Sequence, residues 1–95
     1  MYKVTLLPDA ERSFKKLDQP VQLRLSVKID WLATNAETIV HHPLTSLPDD
    51  LRGLCRLKVG DYRIIYWIYS QNRQITIYDI EHRSKNYRSI KRSRL

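Results

Sequence analysis

The hydrophobic and polar positions in the first half of this chain mostly follow a helical period. A short alternating segment at residues 2–7 predicts a strand, and a proline then stands where a helix can begin. Apolar residues recur at helical spacing just after it, and again three or four residues apart from Val21 to Leu32. The pattern therefore predicts a short helix over residues 8–17 and a longer one over residues 19–34.

The period changes to two in the second half of the chain. Segments rich in Ile, Val, Leu and Tyr predict three strands, at residues 51–59, 61–69 and 74–81. Gly60 and Asp61 suit a type II′ hairpin turn, and a second turn at residues 71–72 makes the three strands an antiparallel meander. The intervening residues 35–50 are rich in proline and polar residues and are predicted to be mostly loop, with a helical turn near residues 37–41.

Together these elements predict an α+β fold. Two N-terminal helices should pack on one face of a four-stranded, mainly antiparallel sheet made of the meander and the first strand. A short C-terminal helix over residues 84–90, capped by Ser84, should follow. A chain of 95 residues forms one domain, so residues 1–95 are predicted to be a single unit.

Positive charge is concentrated at one end of the chain. The formal net charge is +7, and residues 82–95 contain six Lys or Arg and no acid. Such a segment favours a polyanionic partner, whether RNA, DNA, an anionic membrane surface or an acidic protein. Charge alone does not choose among these partners.

Other features of the composition narrow the class of protein. Cys55 is the only cysteine, so an internal disulfide is excluded, which suits a reducing cytoplasm. There is no apolar run near the roughly 18 residues of a membrane span, no signal-peptide pattern, and no phosphate-binding or dinucleotide-binding motif. The pair His41–His42 lacks further ligands at a suitable spacing for a metal. We expect a cytoplasmic protein with no membrane partner, no metal and no cofactor.

The Gly60–Asp61 hairpin provides the first functional signal. With this turn, Lys58 lies opposite Arg63, and alternation places Arg56 on the same face as both of them. The opposite face then holds the predicted core residues Leu57, Val59, Tyr62 and Ile64. Cations on a strand are commonly just solvated, but like charges facing each other are unfavourable unless an anion binds between them. Their combination with the basic tail favours an anion site.

The tail provides a second set of candidates. Tyr87 lies among Arg83, Lys85 and Arg88, where it can act as a general base, stack on a base of RNA, or simply pack its ring. His82, which precedes Arg83, can act as an acid or base, although a single histidine is more often structural or solvated.

Two segments resemble a known family. RLKVGDYRIIY (residues 56–66) and HRSKNYR (residues 82–88) are similar to the RelE/ParE superfamily of bacterial toxins from type II toxin–antitoxin systems. The stretch PLTSLPDDLRGL (residues 43–54) also falls in the family's order, so the resemblance covers essentially the whole chain. RelE-type toxins cut mRNA in the ribosomal A site, whereas ParE-type toxins poison DNA gyrase and generally lack the ribonuclease residues.

The resemblance implies roles for individual residues. The residues expected to be catalytic are Lys58, Arg63, Arg83 and Tyr87, and those expected to bind RNA are Arg56, His82, Lys85 and Arg88. Tyr87 would be the general base, and Arg83 the acid or charge clamp, with His82 as a reserve acid. Arg63 and Lys58 would stabilise the phosphorane. The partners implied are a cognate antitoxin, the ribosome and mRNA.

Three functions follow from this resemblance. The first is a ribosome-dependent mRNA endoribonuclease that inhibits translation through metal-independent attack by the substrate's 2′-hydroxyl. The second is a ParE-like inhibitor of DNA gyrase that docks through the long helix and the tail. The third is a catalytically inactive RNA-binding member of the same fold. Retention of Arg63, Arg83 and Tyr87 favours the first.

Overall fold

The helices and strands of the computed structural model follow the predicted order. Residues 1–92 are described, with side chains for residues 1–90. The elements are β1 (Lys3–Leu6), α1 (Pro8–Lys15), α2 (Gln19–Asn35), β2 (His42–Pro43), β3 (Cys55–Val59), β4 (Tyr62–Tyr69), β5 (Gln74–His82) and α3 (Arg88–Arg92). Single turns of 3₁₀ helix lie at Asp49–Leu51 and Arg83–Lys85.

The sheet contains five strands in the order β1-β5-β4-β3-β2. Strands β3, β4 and β5 form the predicted antiparallel meander, and β1 lies parallel to β5. The α+β class is confirmed, but the predicted number of four strands is wrong, because His42 and Pro43 pair with Arg56 and Cys55 as an edge strand. A strand of two residues is too short to show an alternating pattern in the sequence. Pro43 is tolerated because β2 lies at the edge of the sheet.

The β3–β4 hairpin has the predicted register. Val59 lies opposite Tyr62, Lys58 opposite Arg63, and Arg56 opposite Ile65. Gly60 has a φ of +59°, the sign that a type II′ turn requires at its first central residue. A slip of one residue would exchange the two faces of both strands, so this turn determines which side chains face the core.

Two predicted boundaries are wrong. The strand predicted over residues 51–59 begins only at Cys55, because a 3₁₀ turn and Gly53, with φ of +94°, precede it. The helix predicted over residues 84–90 is split into the 3₁₀ turn Arg83–Lys85 and α3. Asn86 and Tyr87, which lie between them, both have positive φ and interrupt a right-handed helix. Ser84 therefore does not cap α3.

The main core lies between the helices α1 and α2 and the sheet. We call it the helix-side core; Leu25 and Leu32 of α2 pack there against Ile64, Ile75 and Ile77 of the sheet, and all five are fully buried. The predicted core residues of the hairpin also belong to it: Leu57, Val59, Tyr62 and Ile64. The amphipathic pattern of the sequence therefore identified this layer correctly.

A second apolar cluster lies on the other face of the sheet. Its buried members are Leu51, Leu54, Ile65 and Ile90, and the partly buried side chains packed against them include Trp67, Tyr78 and Tyr87. The loop before β3 and the helix α3 thus cover part of a face that the sequence predicted to be basic. The cations of the hairpin lie beside this cluster.

No helix within residues 1–92 is both long enough and apolar enough to span a lipid bilayer.

The thiol of Cys55 should be protected in the native protein. Its side chain lies in the helix-side core with 6% of its surface exposed, and burial raises the pKa of the thiol. Because the thiolate is the reactive form, we expect a disulfide reagent at pH 8 to label Cys55 slowly in buffer and completely in 8 M urea. Labelling kinetics followed by absorbance test this, with Cys55→Ser as the blank; equally fast labelling in both solvents would contradict the burial.

Candidate nucleic-acid interface

A hollow of about 430 Å³ lies at the turn end of the β3–β4 hairpin. We call it the cationic hollow; it is lined by Arg56, Lys58, Gly60, Tyr62, Arg63, Arg83 and Tyr87. Strand alternation brings the three hairpin cations to one face, and the chain after β5 adds Arg83 and Tyr87. Among the described residues that line it, four are cations and none is an acid, so the hollow suits an anion with several negatively charged oxygens.

Arg63 and Tyr87 are in direct contact within this hollow. The guanidinium carbon of Arg63 lies 4.0 Å from the centroid of the Tyr87 ring. Arg63 Nη2 also donates a hydrogen bond of 2.7 Å to the backbone carbonyl of Arg83. These two contacts orient the guanidinium plane, which leaves its remaining N–H groups for an anion in the hollow.

The backbone at Tyr87 has a left-handed conformation. Asn86 has a φ of +51° and Tyr87 a φ of +61°, which is rare for an aromatic residue. Such a conformation costs on the order of 1–3 kcal/mol and persists only where the surrounding structure holds it. Packing of the Tyr87 ring against the second cluster offsets this cost. The strained segment turns the chain so that the ring lies beneath Arg63.

Glu81 anchors the segment that presents Tyr87. Only 6% of the surface of Glu81 is exposed. Its Oε2 accepts two hydrogen bonds from Ser89, one from the backbone N–H at 2.8 Å and one from the side-chain hydroxyl at 2.5 Å. These two hydrogen bonds join β5, which precedes Tyr87 in the chain, to the first turn of α3, which follows it. The sequence analysis did not identify Glu81 as a positioning residue; the available signal was an acid at the end of a strand that runs into a basic tail.

Arg83 remains available to a ligand. Its Nε lies 3.6 Å from Oδ1 of Asp61, and both side chains are largely exposed. An exposed ion pair of this kind contributes little to stability, so a phosphate can replace the carboxylate at low cost.

The structure does not bring all the predicted site residues into the same hollow. His82, Lys85 and Arg88 line a separate hollow of about 350 Å³, together with Lys16 of α1 and the buried acids Asp79 and Glu81. Tyr62 lines both hollows and separates them. Arg94 and the side chains of Lys91 and Arg92, which belong to the basic tail, lie outside the described residues.

His82 has a defined orientation in the second hollow. The backbone N–H of Ser84 donates to its Nδ1 at 3.1 Å, so a neutral imidazole holds its proton on Nε2. The ring also packs edge-on against Tyr62, with centroids 5.1 Å apart. His82 is therefore next to the wall of the cationic hollow but does not line it.

Tyr62 is a lining residue that the sequence analysis assigned only to the core. Its ring packs against the helix-side core, and the residue also lines the cationic hollow. The sequence did contain a signal for this role. Tyr62 is the first residue of β4, between the turn and Arg63, and side chains at the end of a strand are seldom covered on every side.

Comparisons with known proteins identify relatives of this fold. The sequence profile described as "ParE toxin of type II toxin-antitoxin system, parDE" matches residues 4–87. No protein of curated function matches the sequence significantly.

Several solved structures are similar to this chain. The RelBE2 toxin–antitoxin complex from Mycobacterium tuberculosis contains a chain with 24% identity and a TM-score of 0.67, covering 85% of this chain and 96% of that one. The isolated E. coli RelE toxin has 17% identity and a TM-score of 0.70, with both chains fully covered. A YoeB–YefM complex from Staphylococcus aureus has 15% identity and a TM-score of 0.66, covering 86% of this chain and 97% of that one. At these identities the similarity establishes the fold alone.

Proposed function

This chain belongs to the ParE toxin family of type II toxin–antitoxin systems, within the RelE/ParE superfamily, and we propose that it acts as an mRNA endoribonuclease. The observation that supports this activity is the contact between Arg63 and Tyr87 inside a hollow lined by four cations. A gyrase-binding surface has no need for a phenol and a guanidinium in contact at the bottom of such a hollow.

The proposed reaction uses the RNA's own 2′-hydroxyl as the nucleophile. Tyr87 takes the proton from this hydroxyl, and the resulting oxygen attacks the adjacent phosphorus. The bond from phosphorus to the 5′-oxygen breaks, and the leaving oxygen receives a proton, which yields a 2′,3′-cyclic phosphate and a 5′-hydroxyl end. The protein must therefore supply a base, an acid and positive charge for the phosphorane.

The cations of the hollow supply the positive charge. Arg63 is already oriented by its contacts with Tyr87 and with the carbonyl of Arg83, so it stabilises the phosphorane with little reorganisation. Lys58 lies opposite Arg63 on the neighbouring strand and shares this role. Arg56 positions the backbone of the RNA. Arg83 clamps the leaving group.

The exposed cations of the second hollow suit the backbone of an adjoining part of the RNA. Lys85 and Arg88 bind its backbone there, beyond Tyr62. His82 presents Nε2–H near the shared wall and is the reserve proton donor, because a guanidinium gives up its proton poorly.

The partners of the proposed toxin follow from the same site. The ribosome holds the mRNA in the geometry that this small open hollow does not impose by itself, and so supplies part of the orientation that the reaction needs. A cognate antitoxin, as in the RelBE2 and YoeB–YefM complexes, would restrain the activity. Both the ribosome and mRNA are reached in the cytoplasm.

Expression in a bacterium without an antitoxin tests the proposal. We expect the wild-type chain to arrest translation and to create new mRNA 5′ ends inside reading frames. Tyr87→Phe keeps the ring against Arg63 but removes the proposed base, so these ends should fall about 100-fold or more. Tyr69→Phe, at an exposed position on the other end of β4, is the matched control and should behave as wild type. Unchanged cleavage by Tyr87→Phe at equal protein levels would refute the assignment.

A gyrase inhibitor is the second candidate: the matching profile is that of the ParE toxin family, and a surface other than the cationic hollow also favours it. Leu23, Val27 and Trp31 form an apolar stripe along α2 with 67%, 61% and 38% of their surface exposed. An exposed stripe of this kind is typical of a protein-docking surface. If the chain inhibits gyrase, a DNA supercoiling assay should show inhibition that Val27→Ser relieves, while Tyr87→Phe leaves it unchanged.

A further inference from the structure

A smaller hollow adjoins the cationic hollow on the side of β2. It has a volume of about 250 Å³ and is lined by His42, Arg56, Leu57 and Lys58. Arg56 and Lys58 line both hollows, so a chain of nucleotides bound at one can continue into the other past these two side chains.

The backbone of β3 is open at this place. β2 pairs only with Cys55 and Arg56, and the N–H of Leu44 donates to the carbonyl of Leu54 at 2.9 Å. Alternation along β3 then directs the N–H of Lys58 toward the same edge. The pairing with β2 does not extend to Lys58, and within residues 1–92 no strand accepts a hydrogen bond from this N–H. An open backbone N–H beside two cations is a typical donor to a phosphate.

His42 provides a different kind of contact in the same hollow. Its side chain is exposed, and its Cα lies opposite that of Arg56 across the β2–β3 pair. Histidine rings stack on unpaired bases of RNA, and stacking does not require a particular base. The hollow therefore combines hydrogen-bond donors for a phosphate, on β3, with an aromatic ring on the neighbouring strand β2.

We propose that this smaller hollow is a second nucleotide subsite, which binds the nucleotide adjacent to the two that flank the cleaved phosphodiester. Lys58 N–H and Arg56 hold its phosphate, and its base stacks on His42. The inference rests on the proposed function, because it takes the cationic hollow as the place where the RNA is cut. It adds a residue, His42, that neither the charge pattern nor the family resemblance assigned to RNA.

Binding of short uncleavable RNA tests the subsite separately from cleavage. The probes are 2′-O-methyl oligonucleotides of two and four nucleotides, measured by isothermal titration calorimetry at fixed salt. Wild type should bind the longer probe more tightly, and His42→Ala should weaken that binding about 5- to 100-fold, the range expected for one stacked base, with little change for the dinucleotide. His42→Phe, which keeps a ring, should retain most of the affinity for the longer probe.

The outcomes separate this inference from the proposed function. Lys15→Ala removes an exposed cation of α1 and should bind both probes as wild type does. The subsite is overturned if His42→Ala binds both probes as tightly as wild type, if His42→Phe loses as much as His42→Ala, or if wild type binds neither probe. The proposed function instead fails if wild type binds both probes but produces no mRNA cleavage in a translating extract.

Discussion

Replacing Arg63 by alanine is expected to slow mRNA cleavage by about 100- to 1,000-fold, the cost of removing one preorganised donor to a developing negative charge. Among the residues that the structure describes, Arg63 is the cation of the hollow whose guanidinium contacts both Tyr87 and the carbonyl of Arg83. In the proposed reaction, its charge is therefore already in place when the phosphorane forms. The exposed cations Lys58 and Arg83 can add positive charge, but they lack the pair of contacts that orients Arg63.

Two further variants separate charge from geometry. Arg63→Lys keeps the positive charge but cannot form the planar fork that contacts the ring and an oxygen together, so its rate should fall between those of wild type and Arg63→Ala. Arg73→Ala is the matched control, because Arg73 is an exposed arginine that pairs with Glu37 away from the hollow. Single-turnover rates on programmed ribosomes measure all four proteins. A rate for Arg63→Ala within threefold of wild type would contradict the role of Arg63.

Local rules were sufficient to predict the part of the site that lies on the hairpin. The Gly60–Asp61 turn determines the register by itself, and alternation then places Arg56, Lys58 and Arg63 together. No contact distant in sequence is needed for this result. The two helices were predicted for a similar reason, since their apolar stripes repeat within each segment.

The rest of the site depends on contacts that the pattern does not encode. The tail reaches the hollow because Asn86 and Tyr87 adopt a left-handed backbone, for which neither residue has the sequence signal that a glycine would give. Only the family resemblance linked Tyr87 to Arg63. His82, Lys85 and Arg88 lie in a separate hollow, which sequence proximity to Arg83 could not predict.

The second cluster was missed because it joins segments far apart in the chain. Leu51 and Leu54 precede β3, whereas Ile90 lies in α3. Each segment alone is too short to show a period, so the sequence predicted the cations of this face but not the apolar cluster beside them. This cluster bears on the proposed activity, since the Tyr87 ring packs against it.

Neighbouring isoleucines on β4 can test whether the second cluster positions Tyr87. Ile64 and Ile65 are both fully buried, but Ile64 faces the helix-side core and Ile65 the second cluster. Truncating either to alanine should lower the free energy of unfolding by about 2–5 kcal/mol, measured by urea denaturation. This is a large share of the roughly 5–15 kcal/mol that stabilises a typical domain.

The two variants should differ in activity per folded molecule. Ile65→Ala leaves a cavity beside a residue whose strained backbone depends on packing, so Tyr87 should shift and cleavage should fall well below the folded fraction. Ile64→Ala removes as many atoms from the opposite face, and its activity should follow the folded fraction alone. If both variants lose activity only in proportion to unfolding, the second cluster stabilises the fold without positioning Tyr87, and the left-handed segment must hold the ring by its own backbone.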